Sequence, residues 1–294
     1  MMNRKVYIQL IFLCVVNVVF TFAGIFLNLL VIVSFWRSSA YFRNKLCYFM
    51  IMVLSVFDFL VVITNHPLMF IRLVFWLNER NDPLVLAMAP LFSSLFISFS
   101  IMALLVMSIE RYLGVYHPLF HRTSLTRRRL LTLIAVLFSV LIILRVISVN
   151  NWLIPYPMVS VIFIVIVFAL FLFFNYKLFM ISRKVRREIA RRRNNTSSPA
   201  ATSTLHANLN TISPCLMSVC CFLLAYIPSG FLFVFHPGQN LYSHNTSTWM
   251  AWTGTVAYAN STLNCLIFFW KNDVLRREGI KTVKVLKHRL KFAW

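Results

Sequence analysis

Hydrophobic residues in this 294-residue chain come in long runs rather than alternating with polar ones. Seven runs stand out, at roughly 6–34, 46–71, 84–110, 128–149, 155–180, 211–235 and 249–270. A hydrocarbon layer about 30 Å thick is crossed by a helix of about 20 apolar residues, which each run can supply. Inside lipid every backbone N–H and C=O must find a partner within the protein, so such runs are helices rather than isolated strands. The pattern predicts an all-α fold, a seven-transmembrane helix bundle. The first run is too long for a secretory h-region and has no clear cleavage site, so it counts as a span. After Trp270, basic and apolar residues alternate, with Val274, Leu275, Ile280, Val283 and Leu286 among them. That alternation predicts a short amphipathic helix lying on an anionic leaflet. Residues 1–270 then form the membrane domain and 271–294 a tail.

Composition supports a membrane setting. Hydrophobic residues make up 60% of the chain and charged residues 12%, where a soluble domain carries about a quarter charged. The net charge of +22 would suit nucleic acid if it formed one patch. Instead the basic residues fall in alternate loops, at 37–45, 122–129, 183–193 and 271–291, while the other loops hold only Arg80. By the positive-inside rule the N-terminus is outside and the tail cytoplasmic, with Arg4 and Lys5 on the opposing side. Cys14, Cys47, Cys215, Cys220, Cys221 and Cys265 lie in spans or at a span's inner end. None is placed for an outer-loop disulfide, and all six read as small apolar packing groups. The chain contains no His-Glu-X-X-His and no Gly-X-Ser-X-Gly, so no enzyme is expected.

The chemistry lies in the few polar residues inside the runs. Asp58 is the one acidic residue of seven that lies deep in a span. It is a functional-site candidate on that ground, or else a protonated structural carboxyl hydrogen-bonded to its neighbours. Asn28 in the first run, Ser100 in the third, and Asn260, Ser261 and Asn264 in the last add neutral polar groups that need buried partners. Glu110 and Arg111 end the third run as adjacent opposite charges, which alone is an ordinary helix-end pair worth about 0–1 kcal/mol. Arg145 in the fourth run either snorkels outward or serves as a counter-charge to an anionic ligand. Pro228 removes a backbone hydrogen bond and should kink the sixth span. Residues 194–207 form a polar inner loop, and Asn245-Thr-Ser is a glycosylation sequon in the last outer loop.

Glu110-Arg111-Tyr112, with Pro118-Leu119 beginning six positions after the tyrosine, resembles the inner end of helix three in rhodopsin-like (class A) G-protein-coupled receptors. The resemblance implies that Glu110 holds Arg111 in the resting state and that Arg111 meets a heterotrimeric G protein after activation. Leu119 matches the apolar loop residue inserted into the G protein. Tyr176 matches a tyrosine that contacts the arginine in the active state, and Phe222, Pro228 and Phe268 match activation positions. Asn28, Asp58, Ser100, Asn260 and Asn264 match the family's hydrated site, which can bind a sodium ion as allosteric modulator. The implied function is transduction of an extracellular signal through movement of helix six, at the plasma membrane.

Several family positions are substituted. Tyr226 stands for the helix-six tryptophan, Cys265 for the helix-seven proline, and Phe268 for its tyrosine. The usual outer cysteine of helix three is Leu86, and the second outer loop is short, as in the melanocortin, lysophospholipid, cannabinoid and adenosine receptor group. Ser93 replaces the helix-three aspartate of amine receptors, and Tyr258 the helix-seven lysine of opsins. Ser93, Ser94, Ile97, Tyr226, Phe233 and Tyr258 remain as candidate pocket residues, neutral and partly aromatic, which suits a small neutral or lipidic ligand. Two other readings of the chain are a non-signalling membrane partner that kept the fold, and an ion-translocating protein built on Asp58.

Overall fold

The computed structural model describes residues 3–80, 83–150, 156–194, 212–228 and 244–291. Among the described residues ten helices follow one another: α1 (Arg4–Arg37), α2 (Ala40–Asn44), α3 (Leu46–Leu77), α4 (Pro83–Tyr116), α5 (Pro118–Ser124), α6 (Arg127–Asn150), α7 (Tyr156–Asn194), α8 (Ile212–Pro228), α9 (His244–Lys271) and α10 (Asp273–Lys291). Helices α1, α3, α4, α6, α7, α8 and α9 correspond to the seven predicted runs. Among the described residues, α1, α3 and stretches of α4 and α7 are long and apolar enough to cross a membrane on composition alone. Helix α9 falls short because it carries Thr255, Asn260, Ser261, Thr262 and Asn264, all buried. The described part of α8 ends at Pro228, so the expected kink there lies outside the described residues. Asn245 falls in the first turn of α9 rather than in a loop.

The chain divides into two compact units. The first comprises Met1–Ser38, Met52–Ser100 and Met217–Trp294. Helix α1 shows how its inside is chosen, since apolar residues cover both faces. Leu10, Leu13, Cys14, Asn17, Gly24, Asn28, Val31 and Ser34 are buried, at helical three- and four-residue spacings that keep them on one side. Ile8, Phe12, Val15, Val19, Phe22 and Phe26 are exposed on the other, the face a bilayer covers. The buried polar groups distinguish the two faces. Gly24 permits the closest approach: a Cβ there would stand 2.7 Å from Val62 of α3 and 2.6 Å from Thr262 of α9.

Helix α3 ends in two reversed backbone bonds, Arg80 N–H to the Phe75 carbonyl (2.9 Å) and Glu79 N–H to that of Trp76 (3.1 Å). This is the Schellman arrangement, which demands a left-handed residue, and Glu79 takes it at φ 53°. Helix α10 is capped by Asn272, whose side chain accepts from the Leu275 N–H at 3.1 Å. It packs against α1 and α9, with the Thr282 hydroxyl 3.2 Å from that of Ser34. Leu275 is buried on this inner side, while Val274, Ile280, Val283 and Leu286 stay exposed, as an amphipathic tail requires.

The second unit comprises Ser39–Ile51 and Ile101–Leu216. Helix α5 opens on Pro118, whose fixed φ and missing N–H suit a first helical position. Arg127 at the start of α6 bonds the Arg43 carbonyl and lies over the Phe49 ring, 5.2 Å from its centroid, tying α6 to α2 and α3. Asn175 of α7 reaches Ser108 of α4 at 3.4 Å, and Ser108 also meets the Cys215 thiol at 3.6 Å.

Candidate functional site

Asp58 lies in the middle of α3 with no exposed surface. Its carboxyl oxygens are divided between two other helices. The Ser100 hydroxyl of α4 donates to Oδ1 at 2.5 Å, and Asn264 Nδ2 of α9 donates to Oδ2 at 2.9 Å. Ser261, one turn before Asn264, also faces the carboxyl. The polar residues singled out in three separate runs thus meet around one carboxyl. Two further oxygens at this level of α9, Asn260 Oδ1 and Asn264 Oδ1, are buried without a hydrogen-bond partner. Unpaired buried acceptors are uncommon and indicate a place for water or a cation.

Asn28 departs from the expected arrangement. Its Nδ2 bonds the Gly24 carbonyl of its own helix at 2.9 Å, and its Oδ1 accepts from the Cys265 thiol at 2.9 Å. The Cys265 sulfur also lies 3.8 Å from the Ser55 hydroxyl. Cys265 is therefore a polar link between α1, α3 and α9 rather than only an apolar packing group. Cys215, hydrogen-bonded to Ser108, departs from the same expectation, and Cys220 is exposed.

A second buried network was not anticipated. His66 of α3 donates from Nδ1 to Asn17 Oδ1 of α1 at 2.7 Å, and Asn17 Nδ2 donates to Thr255 Oγ1 of α9 at 2.9 Å. The imidazole stacks on Phe20 and meets the edge of Tyr258, each at 5.8 Å between centroids. Asn17 lies eleven residues before Asn28 and His66 eight after Asp58, about three and two turns along the same faces. That register was the available signal.

Of the candidate pocket residues, Tyr258 belongs to a buried apolar cluster with Leu10, Leu13, Met69 and Leu73, against which Ile97 and Tyr226 pack. Phe222 and Tyr226 have ring centroids 4.5 Å apart. The side chains of Ser93, Ser94 and Arg145, and all of Phe233, lie outside the described residues. Among the described residues no cluster of three or more His, Cys, Asp or Glu is placed to hold a metal.

In the second unit Glu110 is wholly buried at the end of α4. Arg111 holds it with both arms of its guanidinium, Nε to Oε2 at 2.5 Å and a terminal nitrogen to Oε1. The fork geometry and the burial lift this pair above the exposed helix-end pair that the sequence alone allowed. Tyr112 stacks on Tyr116 and meets Phe174 of α7 edge-on. Leu119 on α5 is 80% exposed and Tyr176 on α7 is exposed, whereas Phe268 on α9 is buried.

The family described as 7 transmembrane receptor (rhodopsin family) matches residues 27–268, most of the chain and every polar group of the Asp58 and Glu110 sites. The chain belongs to that family. Its fold is therefore the seven-helix membrane bundle, and α10 follows the seventh span of this receptor. No curated protein matches it in sequence.

Proposed function

We propose that the receptor converts binding of an extracellular ligand into nucleotide exchange on a heterotrimeric G protein, from the plasma membrane, with its N-terminus outside and α10 in the cytoplasm. The observation that carries this reading is the forked, buried Glu110–Arg111 pair at the end of α4, next to a loop helix that leaves Leu119 exposed. Release of Arg111 frees a guanidinium to meet the G protein, and Leu119 offers an apolar knob beside it. Helix α8, which carries Phe222 and Pro228, is the moving element, and Tyr112, Tyr176 and Phe268 act in the same change. A ligand drives the change only as far as it binds one packing better than the other.

The ligand site lies toward the outer side of α4, α8 and α9, where Ile97, Tyr226 and Tyr258 share an apolar cluster. Neutral and aromatic linings favour a small neutral or lipidic ligand over an amine. The unpaired oxygens of Asn260 and Asn264, beside Asp58 and Ser100, suit a sodium ion, a hard cation that takes oxygen donors. Asn28 is committed to Cys265 and is not needed among them. A bound cation would supply a positive charge beside the Asp58 carboxyl.

Arg111→Ala is expected to abolish G-protein activation in cells while surface expression persists. Unchanged second-messenger output from that variant would overturn the role of Arg111, and no nucleotide exchange on any G-protein class by the unaltered receptor across a broad ligand screen would leave the chain as a non-signalling membrane partner.

A further inference from the structure

The bond between His66 and Asn17 leaves one atom over. Asn17 Nδ2 gives its two protons to the Leu13 carbonyl at 2.8 Å and the Thr255 hydroxyl at 2.9 Å, which fixes the amide with Oδ1 toward His66. An amide oxygen only accepts, so His66 Nδ1, 2.7 Å away, carries a proton. The ring's aromatic neighbours, Phe20 and Tyr258, are uncharged, and a buried imidazolium without a counter-charge is costly. The imidazole is therefore neutral, and Nε2 is a bare lone pair on the side of the ring away from Nδ1. It is buried and has no hydrogen-bond partner. The Tyr258 carbonyl also faces the ring, which adds an acceptor to this wall and no donor.

A movable group holds room beside it. Met69, one turn after His66 on the same face of α3, fills the gap that Gly254 leaves in α9. A Cβ at Gly254 would stand 2.9 Å from the Met69 methyl and 3.7 Å from the Tyr258 hydroxyl. An unbranched thioether swings aside more readily than a branched or aromatic side chain. Leu10, Leu13 and Leu73 belong to the same buried cluster, and Ile97 and Tyr226 pack against it, so this corner is continuous with the pocket residues described above.

We propose that His66 Nε2 is the polar anchor of the ligand site. The ligand is then a small, neutral, apolar molecule carrying a hydrogen-bond donor, an N–H or O–H that reaches Nε2 when Met69 leaves the gap at Gly254. The inference rests on the reading of an outer ligand site given above. Its chemistry is selective by sign. A donor satisfies a lone pair that the chain itself leaves buried and unpaired. An ether, ester or ketone oxygen sets a second lone pair against it. A carboxylate would in addition bury a charge against neutral neighbours.

Indole and benzofuran test this on the purified full-length receptor, since they share nearly one shape and differ in an N–H against an ether oxygen. Indole is expected to bind saturably, raising the melting temperature by about 2 °C at a few times its dissociation constant. Benzofuran should bind about tenfold more weakly. His66→Phe, which keeps the ring stack, should bring the two affinities within twofold of each other. His66→Gln, whose amide turns either a donor or an acceptor to the ligand, should do the same. Met69→Ala clears the gap and should tighten indole by about threefold. In spectra of the unaltered receptor labelled with ¹⁵N-histidine, an imidazole with an unprotonated Nε2 should shift with indole and not with benzofuran, a reading that needs neither His66 variant to fold. Equal affinities for the two probes, no saturable binding of either, selectivity retained in both His66 variants, indole binding unchanged or weakened by Met69→Ala, or a protonated Nε2 at the responding imidazole would each overturn the proposal. Selectivity that depends on His66 while no G protein responds to any compound supports the anchor and overturns the signalling reading. Agonists that act at unchanged concentrations on both His66 variants leave signalling standing and overturn the anchor.

Discussion

Cys265→Ala isolates the least expected contact in the Asp58 region. The thiol is 1% exposed and donates to Asn28 Oδ1, itself in a residue with no exposed surface. Removing it leaves a buried amide oxygen without a donor, a loss of about 1–3 kcal/mol. The sulfur's own contacts with Ser55 are lost as well, so the upper half of that range applies. For a chain of this size each kcal/mol lowers the melting temperature by about 2–4 °C, giving a fall of about 4–12 °C in detergent-solubilised receptor. Cys265→Ser keeps a donor at the same position and should recover most of it. The decisive measurement is the cycle with Asn28→Ala: if the contact is real, the double variant is about 1–2 kcal/mol more stable than the sum of the single losses implies. Simple additivity, or a melting temperature for Cys265→Ala equal to that of the unaltered chain, would refute the assignment of Cys265 as the partner of Asn28.

Sodium chloride, compared with choline chloride at equal ionic strength, should raise the melting temperature of the receptor. Asp58→Asn should remove that difference, and a retained sodium effect would place the ion elsewhere. Glu79→Gly relieves a left-handed residue at the end of α3 and is expected to stabilise the receptor by about 1 kcal/mol, read as a melting temperature raised by about 2–4 °C.

The chain's apolar runs were sufficient to place every long helix, because a membrane leaves a spanning segment little choice but to be helical and about 20 residues long. The basic stretch through Arg183, Lys184, Arg186 and Arg187 reads as a helical extension of the fifth run once it leaves the hydrocarbon, and α7 continues to Asn194. The meeting of Asp58, Ser100 and Asn264 could be read from sequence since each stands out as polar in an apolar run. Cys265 and His121 could not be read in the same way. A cysteine is inconspicuous among Leu and Phe, and nothing in the spacing of a loop histidine says that α5 folds it back to within 2.8 Å of Glu110 Oε1. His66 and Asn17 were as conspicuous as Asp58 in sequence, yet no motif joined them, and only the packing of α1 against α3 and α9 does so.

The docking of α10 on α1 and α9 bears on how the receptor can be handled. Gly279 sits so close to Phe269 that a Cβ there would stand 2.7 Å from the ring, and Thr282 covers the Ser34 hydroxyl. Truncation after Lys271 would unroof both, exposing an aromatic ring and a serine that α10 covers. Affinity tags and fluorescent fusions therefore belong after Lys291, and a shortened form that precipitates on extraction would be reporting the loss of this cover rather than a fault in the spans.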